Sequence, residues 1–145
     1  MSFSPHITVA TIVEHQARFL FVKEHSGDDI VLNQPAGHLE RDESLEQAAL
    51  RETLEETKWQ VELTALVGVY LYRAPNGVTY QRVCFAAKPV KQLPERALDP
   101  DIIDTTWLSA SELAKQQCRS PLVQRSLTDY LAGSRHSLAL LKGLM

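Results

Sequence analysis

Residues 37–59, GHLERDESLEQAALRETLEETKW, dictate a loop that turns into a helix, and that helix carries an electrostatic burden on one face. Ser44, followed three residues later by Gln47, forms a capping box, which places the N-cap at Ser44 and runs the helix to about Thr57. Leu45, Ala48, Ala49, Leu50 and Leu54 supply its apolar positions, and the alanines are small enough to let it lie close to a sheet. Glu52, Glu55 and Glu56 are related as i, i+3 and i+4, so their side chains share an arc of roughly 100°. Like charges at this spacing cost roughly 0.2–0.5 kcal/mol per pair. Fold stability gives little reason to crowd them. A hard divalent cation does, because Mg²⁺ prefers oxygen ligands and binds one or two carboxylates together with waters and phosphate oxygens.

The neighbours of the triplet each have two readings. Arg51 stands one turn before Glu55, either as a solvated ion pair worth a few tenths of a kcal/mol or as a charged hydrogen-bond donor that orients a ligand. Glu43 precedes the cap and favours the helix N-terminus through the dipole. Upstream, Gln34-Pro35-Ala36-Gly37-His38 contains no strong helix former, and Gly37 frees the backbone to turn a carbonyl toward a ligand.

The spacing of these residues resembles the Nudix signature G-x5-E-x7-R-E-u-x-E-E-x-G-u, in which u is apolar. Gly37, Glu43, Arg51, Glu52, Glu55 and Glu56 fill all six fixed positions before the final glycine. Thr53 departs from the pattern where an apolar residue is expected, and Lys58 departs where Gly would supply the left-handed residue that ends the helix. Three further pieces, Asn33–Glu40, Trp107–Ala110 and Arg119–Val123, look like the NudJ-type Nudix phosphatases. The resemblance implies an α/β fold, a Nudix-type α/β/α sandwich with a mixed β-sheet. It also implies Mg²⁺, with Mn²⁺ as a substitute, held by Glu52, Glu55, Glu56 and the Gly37 carbonyl, with Glu43 ranked below them as a ligand or loop support and Arg51 orienting the set. The substrates it implies are nucleoside tri- and diphosphates and the pyrophosphate of the thiamine pyrimidine precursor.

Along the chain, β-branched and aromatic residues at 6–14 and 18–24 read as a hairpin, with a short extended piece at 30–33. Residues 59–73 and 78–87 flank Ala74-Pro75-Asn76-Gly77, a turn signal that predicts antiparallel pairing. Residues 93–104 read as an irregular loop rich in acids and proline, before a short strand at 105–108. Ser109 or Ser111 can cap a helix over 112–116, and Ser120-Pro121 opens a last helix that ends near Ala132, just before Gly133.

Composition narrows the function classes. At 145 residues, 44% hydrophobic and 23% charged, the chain is expected to be one domain over 1–145 with a full core. A net charge of -3 argues against a nucleic-acid backbone or an anionic membrane as partner. Cys84 and Cys118 make neither a disulfide framework nor a zinc motif, and Cys84 reads as a core thiol. The first residues lack a signal peptide, no apolar run reaches 18 residues, and the expected location is the cytoplasm, as a monomer or homodimer.

The chemistry expected of such a set is hydrolytic substitution at phosphorus in a small anionic diphosphate. No nucleophile elbow, Walker A loop or His-Glu-x-x-His motif is present in the sequence. Glu52 is the first choice of general base, with Glu95, Asp99 and Asp101 of the acidic loop as alternatives. Candidate substrate contacts are His38 for a phosphate, Tyr70, Tyr72 and Tyr80 for a stacked ring, and Arg73 and Arg82 for a terminal phosphate. Hydrolysis of nucleotide sugars or dinucleoside polyphosphates is an alternative, and a ligand-sensing domain without catalysis a minor one.

Overall fold

The computed structural model describes residues 2–144. Its strands are β1 (His6–His15), β2 (Arg18–Ser26), β3 (Asp29–Asn33), β4 (Ala36–His38), β5 (Trp59–Arg73), β6 (Thr79–Gln92) and β7 (Ile102–Leu108). The helices are α1 (Leu45–Thr57), α2 (Ala110–Leu113) and α3 (Pro121–Leu131), followed by one 3₁₀ turn at Leu138–Leu140. The seven strands form a mixed sheet in the order β3-β2-β1-β6-β5, with β4 paired to β1 and β7 paired to β2.

The predicted β1–β2 hairpin exists, but only at its base. Gln16 and Ala17 form a two-residue turn with φ of 53° and 62°, and the strands pair only at Glu14–Phe19 and His15–Arg18. Beyond that β1 turns to β4 and runs parallel to β6, while β2 pairs with β3 and β7. The β5–β6 hairpin forms as predicted, closed by Asn76, whose Oδ1 accepts from the Val78 N–H, and by Gly77 at φ 86°. β6 continues past the expected end at residue 87. There β1 has already dropped away after Val13–Ala87, so Pro89 lacks its N–H at a free edge, where no ladder bond is lost.

Alternation along β1 and β6 divides the core between two faces. Val9, Val83 and Phe85 pack with Ala48 and Ala49 of α1, whereas Ala10, Ile12, Cys84 and Ala86 pack with Val123, Leu127 and Tyr130 of α3. Helices therefore cover both sides of the sheet. Cys84 is fully buried among these residues, and burial pushes its thiol up to about 11.

α1 is capped as its sequence predicts. The Ser44 side chain accepts from the Gln47 N–H, the Gln47 side chain accepts from the Ser44 N–H, and the helix ends on Lys58 in the left-handed region at φ 64°. Lys58 adopts the conformation that glycine would ordinarily supply, and its N–H still reaches the Leu54 carbonyl at 2.9 Å. Thr53 also has a structural answer. It is buried, it donates to the Ala49 carbonyl at 2.7 Å, and its hydroxyl meets that of Thr11 on β1 at 2.8 Å.

Three expectations need correction. The helix expected at 112–116 lies at Ala110–Leu113, because Ser109 and not Ser111 caps it, in a box with Glu112. The acidic loop ends earlier than residue 104, since pairing of Glu24 with Ile102 starts β7 there. Residues 36–38, read as loop, form β4 through pairing with β1, a partner outside the reach of local sequence signals.

Candidate active site

Five segments meet at the signature. β4 lies against β1, α1 packs beside it, the segment 39–44 links the two, and the acidic loop returns to the C-terminal end of α1 through the Asp99 N–H, which donates to the Glu55 carbonyl at 3.0 Å. Gly37 is required here by a close approach: a Cβ at this position would overlap the Glu52 carboxyl group. Next to it, the Ala36 N–H donates to Glu56 Oε1 at 2.9 Å.

Arg51 organises the acids. Its guanidinium donates to Glu43 through Nε at 3.0 Å and Nη2 at 2.7 Å, a bidentate grip, and Nη2 also reaches the His38 carbonyl at 3.1 Å. Nη1 lies 2.6 Å from Glu52 and 3.5 Å from Glu55. Glu43 Oε1 additionally accepts from the Glu40 N–H at 2.8 Å, so this carboxylate ties the loop to the helix. The hydrogen bond from Arg51 holds Glu43 below the usual carboxylate range.

The remaining carboxyls differ in setting. Glu56 is buried, and desolvation first, then the charges of Glu52, Glu24 and Asp99, push it up to about 8 against the lowering effect of the Ala36 N–H. Glu52 is also raised, chiefly by burial, with Arg51 opposing. The Glu55 side chain is 41% exposed and, among the described residues, is held only by the 3.5 Å contact with Arg51. An all-oxygen donor set of crowded, mutually repelling carboxyls beside a side-chain-free residue fits a hard divalent cation. Among the described residues, no three acidic, histidine or cysteine side chains converge as they stand, and Arg51 Nη1 lies between Glu52 and Glu55.

A cleft of about 770 Å³ opens on the other side of β4, lined by residues that include Ala36, Gly37 and His38. The two residues that touch Glu56 and Glu52 therefore also border the cleft. Tyr72, Tyr80 and Arg82 line it as well, together with Glu24, Asn33, Asp101 and Arg119. Arg73 does not: it is exposed at the end of β5. Tyr70 packs against the core and donates to Asp129 at 2.7 Å, which removes it from the ring-stacking candidates. Arg82 is no flexible arm. It is buried, and its Nη2 donates to Gln34 Oε1 at 2.7 Å and Asn33 Oδ1 at 3.2 Å. Of the loop acids, Asp101 reaches the cleft and Asp99 acts on Glu52 and Glu56 by its charge.

Glu24 escaped the sequence reading. It sits in β2, accepts from Asn33 Nδ2 at 3.0 Å, pairs with Arg119 at 3.4 Å and raises Glu56 through like charge. The one available signal was that β2 ends in the polar run Lys23-Glu24-His25, which reads equally well as a strand leaving the core.

A mixed sheet between helices, with the carboxylate-bearing helix beside a glycine at the mouth of a cleft, defines a class. The NUDIX domain model matches residues 4–129, and the chain belongs to that family. Within it, the phosphatase NudJ of Shigella boydii serotype 4 (strain Sb227) is 38% identical over 140 residues, covering 96% of this chain and 92% of its own length. The phosphatase NudJ of Escherichia coli (strain K12) is 37% identical over the same span. A solved NUDIX hydrolase from Nitrosomonas europaea matches with a TM-score of 0.94 at 40% identity, covering 97% of both chains. The protein is accordingly a NudJ-like Nudix enzyme, a hydrolase acting on pyrophosphate bonds. No helix among the described residues is long and apolar enough to cross a membrane.

Proposed function

We propose that the protein hydrolyses phosphate anhydride bonds of nucleoside tri- and diphosphates and related small pyrophosphates, with Mg²⁺ as cofactor and Mn²⁺ as a substitute. The observation that carries this reading is the meeting of Glu52 and Glu56 with Gly37 and Ala36, at the border of a cleft large enough for a nucleotide. The names of the NudJ relatives add phosphatase activity to it.

Glu52, Glu55, Glu56 and the Gly37 carbonyl would hold the cation. When bound, it neutralises phosphate charge and lowers the pKa of an attacking water. The rest falls to the chain. Arg51 anchors Glu52 while Glu43 and the His38 carbonyl anchor Arg51, so the guanidinium fixes where Glu52 points. Glu55, the most exposed of the three acids, swings away from Arg51 to complete the set. Glu52 takes the proton of the water, since only one of its oxygens is bound by Arg51 and the other is left to accept it. His38, exposed beside Gly37, contacts the phosphate chain.

A turnover panel tests this. Nucleoside di- and triphosphates, the thiamine pyrimidine pyrophosphate, a nucleotide sugar and a dinucleoside polyphosphate are compared at equal concentration with Mg²⁺, with product identity read by ³¹P NMR. Preferred cleavage of the first two groups is expected. Preference for the nucleotide sugar or the dinucleoside polyphosphate overturns the substrate assignment, and no turnover at all overturns hydrolysis.

A further inference from the structure

Strand register arranges one face of the sheet into rows. His6 pairs with Tyr80 and Tyr80 with Tyr72, so these three residues stand side by side across β1, β6 and β5. The adjacent row contains His38, Thr8, Arg82 and Tyr70 across β4, β1, β6 and β5. Directly paired residues face the same side of a sheet, and Tyr72, Tyr80, His38, Thr8 and Arg82 all line the cleft.

The four tyrosines separate into two kinds. Tyr70 and Tyr130 pack on the core and donate to Asp129 and Glu14. Tyr72 and Tyr80 are half-buried in the cleft wall, outside the core clusters, and among the described residues their hydroxyls bond to no protein group. Tyr80 is held in place by its neighbours: its ring meets His6 edge-on at 5.5 Å and 83°, and His38 at 6.3 Å and 61°. A fixed ring in a concave wall, uncovered by any apolar side chain of the core, is a surface for another ring.

Arg82 supplies a second observation. It is 6% exposed, its acceptors Asn33 and Gln34 are neutral, and its Nε is a buried donor with no partner. Glu24 and Glu56 act on Arg82 by charge without bonding to it, so the unpartnered Nε remains a cost that a ligand carrying an acceptor at this place relieves.

We propose that Tyr72 and Tyr80 form a specificity subsite for a flat heteroaromatic ring carried on the diphosphate, with Arg82 beneath it as the donor that meets the ring's polar edge or the linking phosphate. The reading rests on the proposed hydrolysis of anhydrides. Successive strands are about 4.8 Å apart, so the backbones of β4 and β6 lie roughly 10 Å apart, although the Tyr80 ring leans to 6.3 Å from that of His38. The anhydride end then lies at Gly37 while the ring lies two to three strands away, and the substrate spans the sheet across its strands. An aliphatic or purely inorganic polyphosphate leaves the subsite unfilled and gains nothing from it.

The test is the ratio of kcat/KM for ATP and CTP to that for inorganic tripolyphosphate, in wild type, Tyr80→Leu, Tyr72→Leu and Tyr80→Phe, with folding checked by thermal melting. Base stacking of ordinary strength predicts that each leucine variant lowers the ratio by roughly tenfold, through KM for the nucleotides and not through kcat. Tyr80→Phe keeps the ratio, because the ring and not the hydroxyl is used. Should Tyr80→Leu unfold, Tyr72→Leu alone still decides. Leucine variants that hydrolyse all three compounds with the wild-type ratio overturn the subsite alone, whereas a wild type that hydrolyses none of them overturns the hydrolase reading on which it rests.

Discussion

The Glu52 carboxyl group occupies the volume that a side chain on Gly37 would need. This relationship explains the glycine without appeal to backbone conformation, because Gly37 has no positive φ and any residue could adopt its backbone. The requirement comes from the acid, not from the turn.

Gly37→Ala therefore displaces Glu52 while leaving the fold intact. Misplacing a reacting group, the role proposed for Glu52, by about 1 Å costs on the order of 100-fold in rate, and kcat is expected to fall by that amount. Circular dichroism and the melting temperature should stay near wild type. A variant with full kcat would show that Glu52 can retreat without consequence.

Thr11 and Thr53 share a buried hydrogen bond in place of the apolar contact that the signature favours. Thr53→Val leaves the Thr11 hydroxyl buried without this partner, at a cost of about 1–3 kcal/mol. The double variant with Thr11→Val removes both hydroxyls and should be less destabilised than the sum of the singles, with a coupling of about 0.5–3 kcal/mol in urea unfolding. Additive values would mean that the pair contributes nothing as a pair.

Lys58 ends α1 at φ 64°, where a Cβ is strained. Lys58→Gly should raise stability by up to about 1 kcal/mol and leave activity near wild type. A melting temperature that stays the same or drops rejects that account of the helix end.

Glu56 sets a pH dependence of the metal-free protein. Its folded-state value, pushed up to about 8, lies above the ordinary 4.5, so the folded state holds its proton more tightly than the unfolded chain. The stability this contributes is complete below 4.5 and is lost as pH rises to about 8. Glu43, lowered by Arg51, acts in the opposite sense and only below the ordinary carboxylate range. In a chelator, the urea midpoint should decline between those two pH values, and Glu56→Gln should flatten the decline. An unchanged slope in the variant assigns the effect to other groups.

Much of this was legible where causes are local. The Ser44–Gln47 box fixed α1 and its start, and the Asn76-Gly77 turn fixed the β5–β6 hairpin, because capping and turn chemistry act within a few residues. What escaped depends on partners far along the chain. β4 is a strand only because β1 lies beside it, Thr53 is tolerated only because of Thr11, and Arg82 is a buried anchor only because Asn33 and Gln34 surround it. Glu24 reaches the site through the pairing of β2 with β3 and β7, which no periodicity reveals. The crowded acids on α1 announced themselves by spacing, while the two settings that distinguish them, Glu56 buried and Glu55 exposed, came from packing against β4.

The most direct test of the central claim is the rate of phosphate-anhydride hydrolysis of a nucleoside triphosphate by wild type and Glu56→Gln, each with Mg²⁺ and after chelation. Only wild type with Mg²⁺ is expected to turn over at full rate, the other three conditions falling by at least about 100-fold, on the order of the loss expected when one group stabilising the transition state is removed. Hydrolysis that survives both chelation and Glu56→Gln contradicts the account.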